Sequence, residues 1–210
     1  AMRDPNPLVA GDGLKKLEDA GIEVESGLLE SQARELNPGF IKRMESGRPY
    51  VRIKMAMSLD GRTAMASGES QWITGPEARR DVQRLRAMSC AVVTGIGTVL
   101  ADDCSLTVRA EELGLPPQEA TLAASRQPLR VVVDSQLRTP ADAKVIDDRA
   151  PSLLCHSQRV ELPPALATSG VNRLALDQGT DGLDLNAIFD YLNARQCNEI
   201  LVESGPRLAG

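Results

Sequence analysis

Runs of apolar residues that predict β-strands alternate along this chain with segments whose apolar residues have helical spacing. The run Leu129–Asp134 has a β-branched, apolar centre, which is typical of a strand covered on both faces of a parallel sheet. Further runs lie at Val51–Met57, Cys90–Thr94, Pro151–Cys155, Val171–Leu176 and Ile200–Val202. This rhythm of strands and helices predicts an α/β domain with a mainly parallel central sheet.

A strand, a loop and a helix follow one another just after residue 50. Apolar and polar residues alternate over Val51–Met57, which predicts the strand, and Asp60-Gly61 marks the turn after it. Thr74 and Glu77 have the spacing of a capping box, in which each side chain bonds a free backbone N–H at the start of a helix. The small, polar loop that ends at Trp72 therefore lies between a strand end and a helix start, where ligands are often bound.

Four polar or glycine-containing segments each follow a predicted strand. They are Ser58–Trp72, Thr94–Thr98, Asp134-Ser135 and Glu203–Pro206. Because the carboxyl ends of parallel strands lie at one edge of a sheet, we expect these segments to form one ligand site there. Gly95 and Gly97 would let the backbone approach a phosphate, but the third glycine of the dinucleotide fingerprint is missing, so a ligand loop and a simple turn both stay open.

Charge and composition limit the partners of the chain. A net charge of −5 argues against a nucleic-acid-binding protein, and no run approaches the roughly 18 apolar residues of a membrane span. The cysteines, Cys90, Cys104, Cys155 and Cys197, are far apart, which indicates reduced thiols rather than a zinc site or a disulfide framework. We therefore expect a cytoplasmic protein with no nucleic-acid and no membrane partner.

Several of these segments together resemble one known family. Those that carry the resemblance are Lys54–Thr74, Glu77–Ala87, Thr94–Asp103, Leu106–Arg109, Arg130–Ser135 and Glu203–Pro206. In this order they are similar to the reductase domain of the bifunctional riboflavin-biosynthesis deaminase–reductases. The resemblance implies a fold like that of dihydrofolate reductase and an NADPH-dependent reduction. The implied substrate is 5-amino-6-(5-phosphoribosylamino)uracil, whose ribose is opened and reduced to the ribitylamino product.

The resemblance also implies site residues, position by position. Positions that bind the substrate in the family correspond to Ser70, Arg86, Leu106, Arg109 and Glu203. Positions that bind NADPH correspond to Ala56, Trp72, Thr98, Asp102, Ser135, Gly205 and Pro206. Lys54 and Glu203 are the expected catalytic residues. Arg86 and Arg109 suit the 5-phosphate of the substrate, because a guanidinium forms paired, charged hydrogen bonds with phosphate.

Two residues depart from the family pattern, and three of the predicted site residues also have simpler structural interpretations. Ser204 lies where a second glycine is common, and Cys104 lies where proline is usual after the two aspartates. Neither change removes a charge or a hydrogen-bond donor, so the assignment stands. Apart from the resemblance, Lys54 equally suits the solvent face of an edge strand, and Trp72 equally suits plain core packing. A helix arginine such as Arg86 is more often solvated than ligand-binding.

The domain organisation follows from the same resemblance. Residues 1–45 form a predicted helix–strand–helix piece, with its strand at Ile22–Val24, and resemble the end of the family's deaminase domain plus a linker helix. They contain no H-x-E and no P-C-x-x-C pair, so zinc is expected only in an upstream deaminase domain that this sequence lacks. Residues 46–210 are the expected reductase domain, truncated at its C-terminus, and we expect no metal ligands in it.

Two other functions stay open at the level of the sequence. The chain could be a dihydrofolate-reductase-type enzyme that reduces another pyrimidine or pterin, or it could be an inactive fragment that serves as a binding module. Lys54 and the two arginines favour the phosphorylated ribosylaminopyrimidine as substrate, since an unphosphorylated substrate has no use for them. The resemblance further implies a homo-oligomer. No basic cluster in the sequence explains a preference for NADPH over NADH.

Overall fold

The computed structural model of the chain describes residues 2–67, 73–180 and 182–209. Its strands are β1 (Tyr50–Lys54), β2 (Ala91–Gly95), β3 (Leu129–Val133), β4 (Ser152–Ser157), β5 (Asn172–Leu176), β6 (Gln178–Gly179), β7 (Gly182–Leu183) and β8 (Glu199–Glu203). Its helices are α1 (Asp12–Asp19), α2 (Glu30–Leu36), α3 (Pro38–Ser46), α4 (Pro76–Met88), α5 (Ile96–Asp102), α6 (Pro117–Ser125), α7 (Pro164–Ala167), α8 (Leu185–Ala194) and α9 (Pro206–Ala209). Within the described residues, no helix is both long and apolar enough to cross a membrane.

The main sheet has six strands in the order β1-β8-β2-β3-β4-β5, and β6 and β7 form a separate antiparallel pair. The strand pairs β8–β2, β2–β3, β3–β4 and β4–β5 are parallel. Parallel neighbours require crossover connections, which the intervening helices and loops supply. The predicted α/β class with a mainly parallel sheet is confirmed.

The central strands are buried on both faces, as their unbroken apolar runs predict. Val131 and Val132 of β3 are both fully buried, and so are Leu154 of β4 and Leu201 of β8. Because neighbouring side chains on a strand point to opposite faces, burial of consecutive residues means that both faces are covered. Each such side chain contributes about 1.5–3 kcal/mol through removal of apolar surface from water. The core is therefore aliphatic, in a chain whose aromatic content is only 2%.

One charged residue lies in the middle of this apolar sheet. Arg130 of β3 is fully buried. Its guanidinium donates hydrogen bonds to the carbonyl oxygens of Lys144 (2.9 Å), Asp147 (2.5 Å) and Ala150 (2.5 Å), and to the Asp147 carboxylate (2.9 Å). These hydrogen bonds hold the segment 144–150 against the sheet. Burial lowers the pKa of Arg130, and the opposing effect of Asp147 does not fully offset it.

Three local predictions are wrong. The first strand ends at Lys54 rather than at Met57, and Ile53 and Met57 are both about half exposed (55% and 46%). Helix α4 begins at Pro76 with Gly75 as its N-cap and makes no side-chain capping bond, so the predicted capping box at Thr74 does not form. Ile22–Val24 is not a strand; such a short apolar run lacks a neighbouring strand with which to pair.

The chain divides into two compact units. One comprises residues 1–50 together with Phe189–Glu199, and the other comprises Val51–Ile188 with Ile200–Gly210. Within the first unit, Gly39 of α3 leaves no room for a side chain, because a Cβ there would lie 2.9 Å from the Asn198 carbonyl oxygen. Arg43 also donates a hydrogen bond to the Asn198 side chain (2.6 Å). The split at residue 45 between a deaminase remnant and a reductase domain stays a prediction.

Candidate functional site

A cavity of about 720 Å³ opens at the carboxyl ends of β1, β8, β2 and β3. Three of the four predicted ligand segments contribute to its lining: Thr63 and Ala64 from the loop after β1, Gly95–Thr98 after β2, and Glu203–Gly205 after β8. The fourth segment, Asp134-Ser135, is flanked by two residues that line the cavity, Val133 and Arg138. The parallel order of the strands is what brings these distant segments to one edge.

The predicted site residues differ in how they relate to this cavity. Those that line it are Lys54, Ala56, Thr98, Asp102, Glu203 and Gly205. Those outside its lining are Arg86, Leu106, Arg109 and Ser135. Pro206 begins helix α9. Ser70 and Trp72 lie outside the described residues, and their contacts with substrate and cofactor stay predictions.

Arg86 and Glu203 form a buried ion pair. Glu203 is the last residue of β8, and Arg86 lies on α4; each side chain is only 11% exposed. The guanidinium donates two hydrogen bonds to the carboxylate, from Nε (2.6 Å) and Nη2 (2.8 Å), and a third to the Thr107 carbonyl oxygen (3.1 Å). Burial alone would lower the pKa of Arg86, but the bond to Glu203 and its charge outweigh burial, so that this pKa lies above its ordinary value. Arg86 therefore positions Glu203 at the wall of the cavity.

Leu106 and Arg109 lie in the segment between α5 and the next turn of helix. Leu106 is 2% exposed and adopts a positive φ of 54°, a strained conformation for a side chain of this size that the surrounding core has to hold. Arg109 pairs with Glu112 at 2.7 Å, and both side chains are about half exposed. The Glu112 carboxylate also accepts a hydrogen bond from Gln83 (3.0 Å). The contacts of Leu106 and Arg109 with the substrate stay predictions.

The two aspartates after α5 have different environments. Asp102 lines the cavity, whereas Asp103 accepts hydrogen bonds from the backbone N–H of Lys144 (3.0 Å) and from its ammonium (3.1 Å). These bonds lower the pKa of the Asp103 carboxyl. Asp103, the residue after α5, thus connects this helix to the segment 144–150, which Arg130 also bonds.

The cavity carries more positive than negative charge. Among the described residues that line it, the charged ones are Lys54, Arg79, Asp102, Arg138, Glu203 and Arg207. Since Arg86 neutralises Glu203, the lining is suited to anions such as phosphates. The sequence reasoning missed Arg79, Arg138 and Arg207. The one available signal was position, because Arg138 and Arg207 each come shortly after the end of a predicted strand.

Cys104 lies beside the ion pair, in contact with the main core. Burial, with the charge of Glu203 as a smaller cause, raises its pKa to about 11, and burial raises the pKa of Cys155 to about 12. Only the thiolate reacts with alkylating agents. At pH of about 8, native Cys104 should therefore react with iodoacetamide at least about a hundredfold more slowly than a thiol with the ordinary pKa of about 8.5.

Peptide mass spectrometry after timed alkylation measures this protection for each cysteine. Protein unfolded in urea is the control, in which all four cysteines should react at similar rates. Rapid modification of native Cys104 would mean that this thiol is not held in the partly buried position against the core that is described above.

The RibD C-terminal domain family matches residues 49–210. The chain is 48% identical to riboflavin biosynthesis protein RibD of Escherichia coli and 46% identical to that of Haemophilus influenzae, covering 100% of this chain in both cases and 57% and 55% of those proteins. It spans little more than half the length of these relatives.

Solved structures give the same relationship. RibD of Acinetobacter baumannii superposes with a TM-score of 0.83 at 45% identity, over 100% of this chain and 55% of that one. A diaminohydroxyphosphoribosylaminopyrimidine deaminase/5-amino-6-(5-phosphoribosylamino)uracil reductase of Thermotoga maritima has a TM-score of 0.78 at 33% identity, over 99% of this chain and 53% of that one. The riboflavin biosynthesis reductase Rib7 of yeast, at 20% identity and a TM-score of 0.55, shares the fold. The resemblance predicted from the sequence motifs is confirmed.

Proposed function

This chain belongs to the RibD C-terminal domain family, and we propose that it reduces 5-amino-6-(5-phosphoribosylamino)uracil to the ribitylamino product with NADPH. The proposal includes a parent protein whose upstream part carries the zinc-dependent deaminase, and a homo-oligomeric assembly. The observation that carries the reductase function is the cavity itself. It joins a lysine, an ion-paired glutamate and three arginines at the carboxyl ends of four neighbouring strands.

The cavity fits a dinucleotide in three respects. Its volume of about 720 Å³ lies in the range of known ligand pockets. A Cβ placed on Gly97 or Gly205 would meet no other described atom within 4 Å, so a ligand can approach the backbone closely at both positions. The Ser204 hydroxyl is buried and makes no hydrogen bond to any residue that the structure describes, and it is available to a ligand that displaces water.

The residues around the cavity suggest a division of roles. NADPH supplies the hydride when it is bound, and Thr98, Gly205 and the arginines are the groups that would hold it. Lys54 and Glu203 lie near each other in the sheet, since β1 and β8 are neighbours. The Lys54 ammonium is able to donate a proton to the oxygen released when the ribose opens. Glu203, oriented by Arg86, accepts hydrogen bonds from the polyol hydroxyls.

The charged groups favour this substrate over an unphosphorylated pterin. A hydride transfer needs position, charge and exclusion of water more than it needs reactive side chains. The excess of cations suits two phosphorylated ligands bound together, a ribosylamino phosphate and a dinucleotide. A dihydrofolate-type substrate carries no phosphate, and it would leave part of this charge without a partner.

The test is NADPH oxidation in the presence of 5-amino-6-(5-phosphoribosylamino)uracil, with dihydrofolate as the comparison substrate. We expect turnover with the first compound only. Lys54→Met should lower kcat by at least about a hundredfold, in the range for loss of a general acid. The matched control is Lys15→Met, on the exposed helix α1, which should leave the rate unchanged. Turnover of dihydrofolate, or a Lys54→Met enzyme with normal kcat, would contradict the proposal.

A further inference from the structure

Arg138 is a cation at the part of the cavity that lies after β3. It follows β3, it is exposed, and it lines the cavity. It makes no hydrogen bond or ion pair with any residue that the structure describes, whereas Arg79 donates to the Thr74 carbonyl oxygen (2.8 Å). An exposed arginine facing a cavity has no structural task that requires its charge. The position therefore offers a binding group for an anion.

The turn that carries Arg138 is rigid. The buried Asp134 carboxylate accepts two hydrogen bonds from Thr139, one from its backbone N–H (2.7 Å) and one from its hydroxyl (2.8 Å). The Asp134 carbonyl oxygen accepts a third from the Leu137 N–H (3.1 Å). Leu137 and Thr139, on either side of Arg138, are both buried. The backbone at Arg138 is thus fixed before any ligand binds, which lowers the entropy that binding has to overcome.

The strand order places Arg138 far from the proposed reaction centre. Lys54 ends β1, and β1 is separated from β3 by β8 and β2. Three strand spacings amount to about 14 Å along the sheet edge. A dinucleotide has its nicotinamide and its adenine separated by two riboses and a pyrophosphate, and such ligands bind across the carboxyl ends of parallel strands. With the nicotinamide near Lys54, the adenosine lies near the end of β3.

We propose that Arg138 binds the 2′-phosphate of NADPH and thereby sets the preference of this domain for NADPH over NADH. This inference rests on the proposed function. A guanidinium forms two parallel, charged hydrogen bonds with a phosphate and loses them with the hydroxyl that NADH has at this position. Arg207 follows β8, in the middle of the cavity, and is placed for the pyrophosphate instead.

Calorimetric titration of the whole chain tests this assignment without relying on activity. The ligands are NADPH, NADH and adenosine 2′,5′-bisphosphate, which carries the 2′-phosphate but no nicotinamide. Arg138→Ala should weaken NADPH and the bisphosphate by about tenfold or more, equal to about 1.4 kcal/mol, and should change NADH by less than about twofold. The matched control is Arg159→Ala, an exposed arginine after β4 that does not line the cavity.

Each outcome has a distinct meaning. Selective loss of NADPH and of the bisphosphate in the Arg138 variant alone supports the proposal, and unchanged melting temperatures exclude unfolding as the cause. Equal loss of NADPH and NADH, or no loss, overturns the role of Arg138 and leaves the proposed function intact. If the wild-type chain binds neither dinucleotide, the proposed function fails, and the assignment of Arg138 fails with it.

Discussion

Arg86→Met should lower the free energy of unfolding by about 3–5 kcal/mol, because it leaves a buried carboxylate without its partner. Glu203 is 9% exposed, and its two oxygens accept the Nε and Nη2 protons of Arg86. Urea denaturation measures the change. In a double variant, Arg86→Met with Glu203→Gln, the loss in the free energy of unfolding should be smaller than the sum of the losses in the two single variants, since the uncompensated charge is gone.

The control for this experiment is the exposed pair Arg62–Asp60, whose side chains are 74% and 65% exposed. Arg62→Met should leave the free energy of unfolding nearly unchanged, because the ion pair that it removes is exposed to solvent. The result also separates two roles of Arg86. If Arg86→Met keeps wild-type stability but loses affinity for the substrate, the guanidinium contacts the ligand directly, as the sequence resemblance implies, and does not mainly position Glu203.

Arg130→Met should lower the free energy of unfolding by about 3 kcal/mol, because it removes the donor that several inward-facing acceptors share. The guanidinium is fully buried, and it bonds three carbonyl oxygens of the segment 144–150 as well as the Asp147 carboxylate. Methionine fills a similar volume but donates no hydrogen bond. The same denaturation experiment applies, with Arg149→Met as the control. Arg149 bonds the same carboxylate (2.6 Å) but is 52% exposed.

The Arg130 variant should also have a characteristic pH dependence. Burial tends to raise the pKa of Asp147, but its bonds to Arg130 and Arg149 outweigh burial and lower it. A carboxyl with a lowered pKa stabilises the folded state above its ordinary pKa of about 3.9, and this contribution is lost as the pH falls through the lowered value. The difference between wild type and Arg130→Met should therefore be largest at neutral pH and shrink in acid. A difference that grows in acid would contradict this account.

The sheet could be predicted from the sequence, whereas its boundaries could not. The apolar centre of β3 needs both faces covered whatever its neighbours are, so its burial follows from composition alone. The end of β1 depends on pairing, and alternation continues in the sequence beyond Lys54, where the strand stops. The predicted start of α4 was wrong because the spacing of Thr74 and Glu77 matches a capping box, whereas the helix begins at Pro76 with Gly75 as its N-cap and has no side-chain capping bond.

The site could be predicted in position but only partly in its contacts. The four segments after strands were recognisable because their edge of the sheet follows from parallel order. The ion-pair partner of Arg86 could not be predicted, since Glu203 is 117 residues away and no local sequence pattern connects the two residues. The burial of Arg130 could not be predicted for a different reason. An arginine inside an apolar run is usually an exposed or edge residue, and only the tertiary structure supplies the carbonyl oxygens that allow its burial.

The place of β8 in the sheet has a consequence for biogenesis. This late strand lies between β1 and β2, with Ile200 paired to Ala91, so a growing polypeptide emerges from the ribosome with the first two strands of its sheet still apart. Until residues 199–203 are synthesised, β2 has an unpaired edge and Arg86 lacks its counter-ion. Because unpaired strand edges make intermediates prone to aggregation, we expect chaperones to capture nascent chains stalled before β8 far more than chains stalled after it.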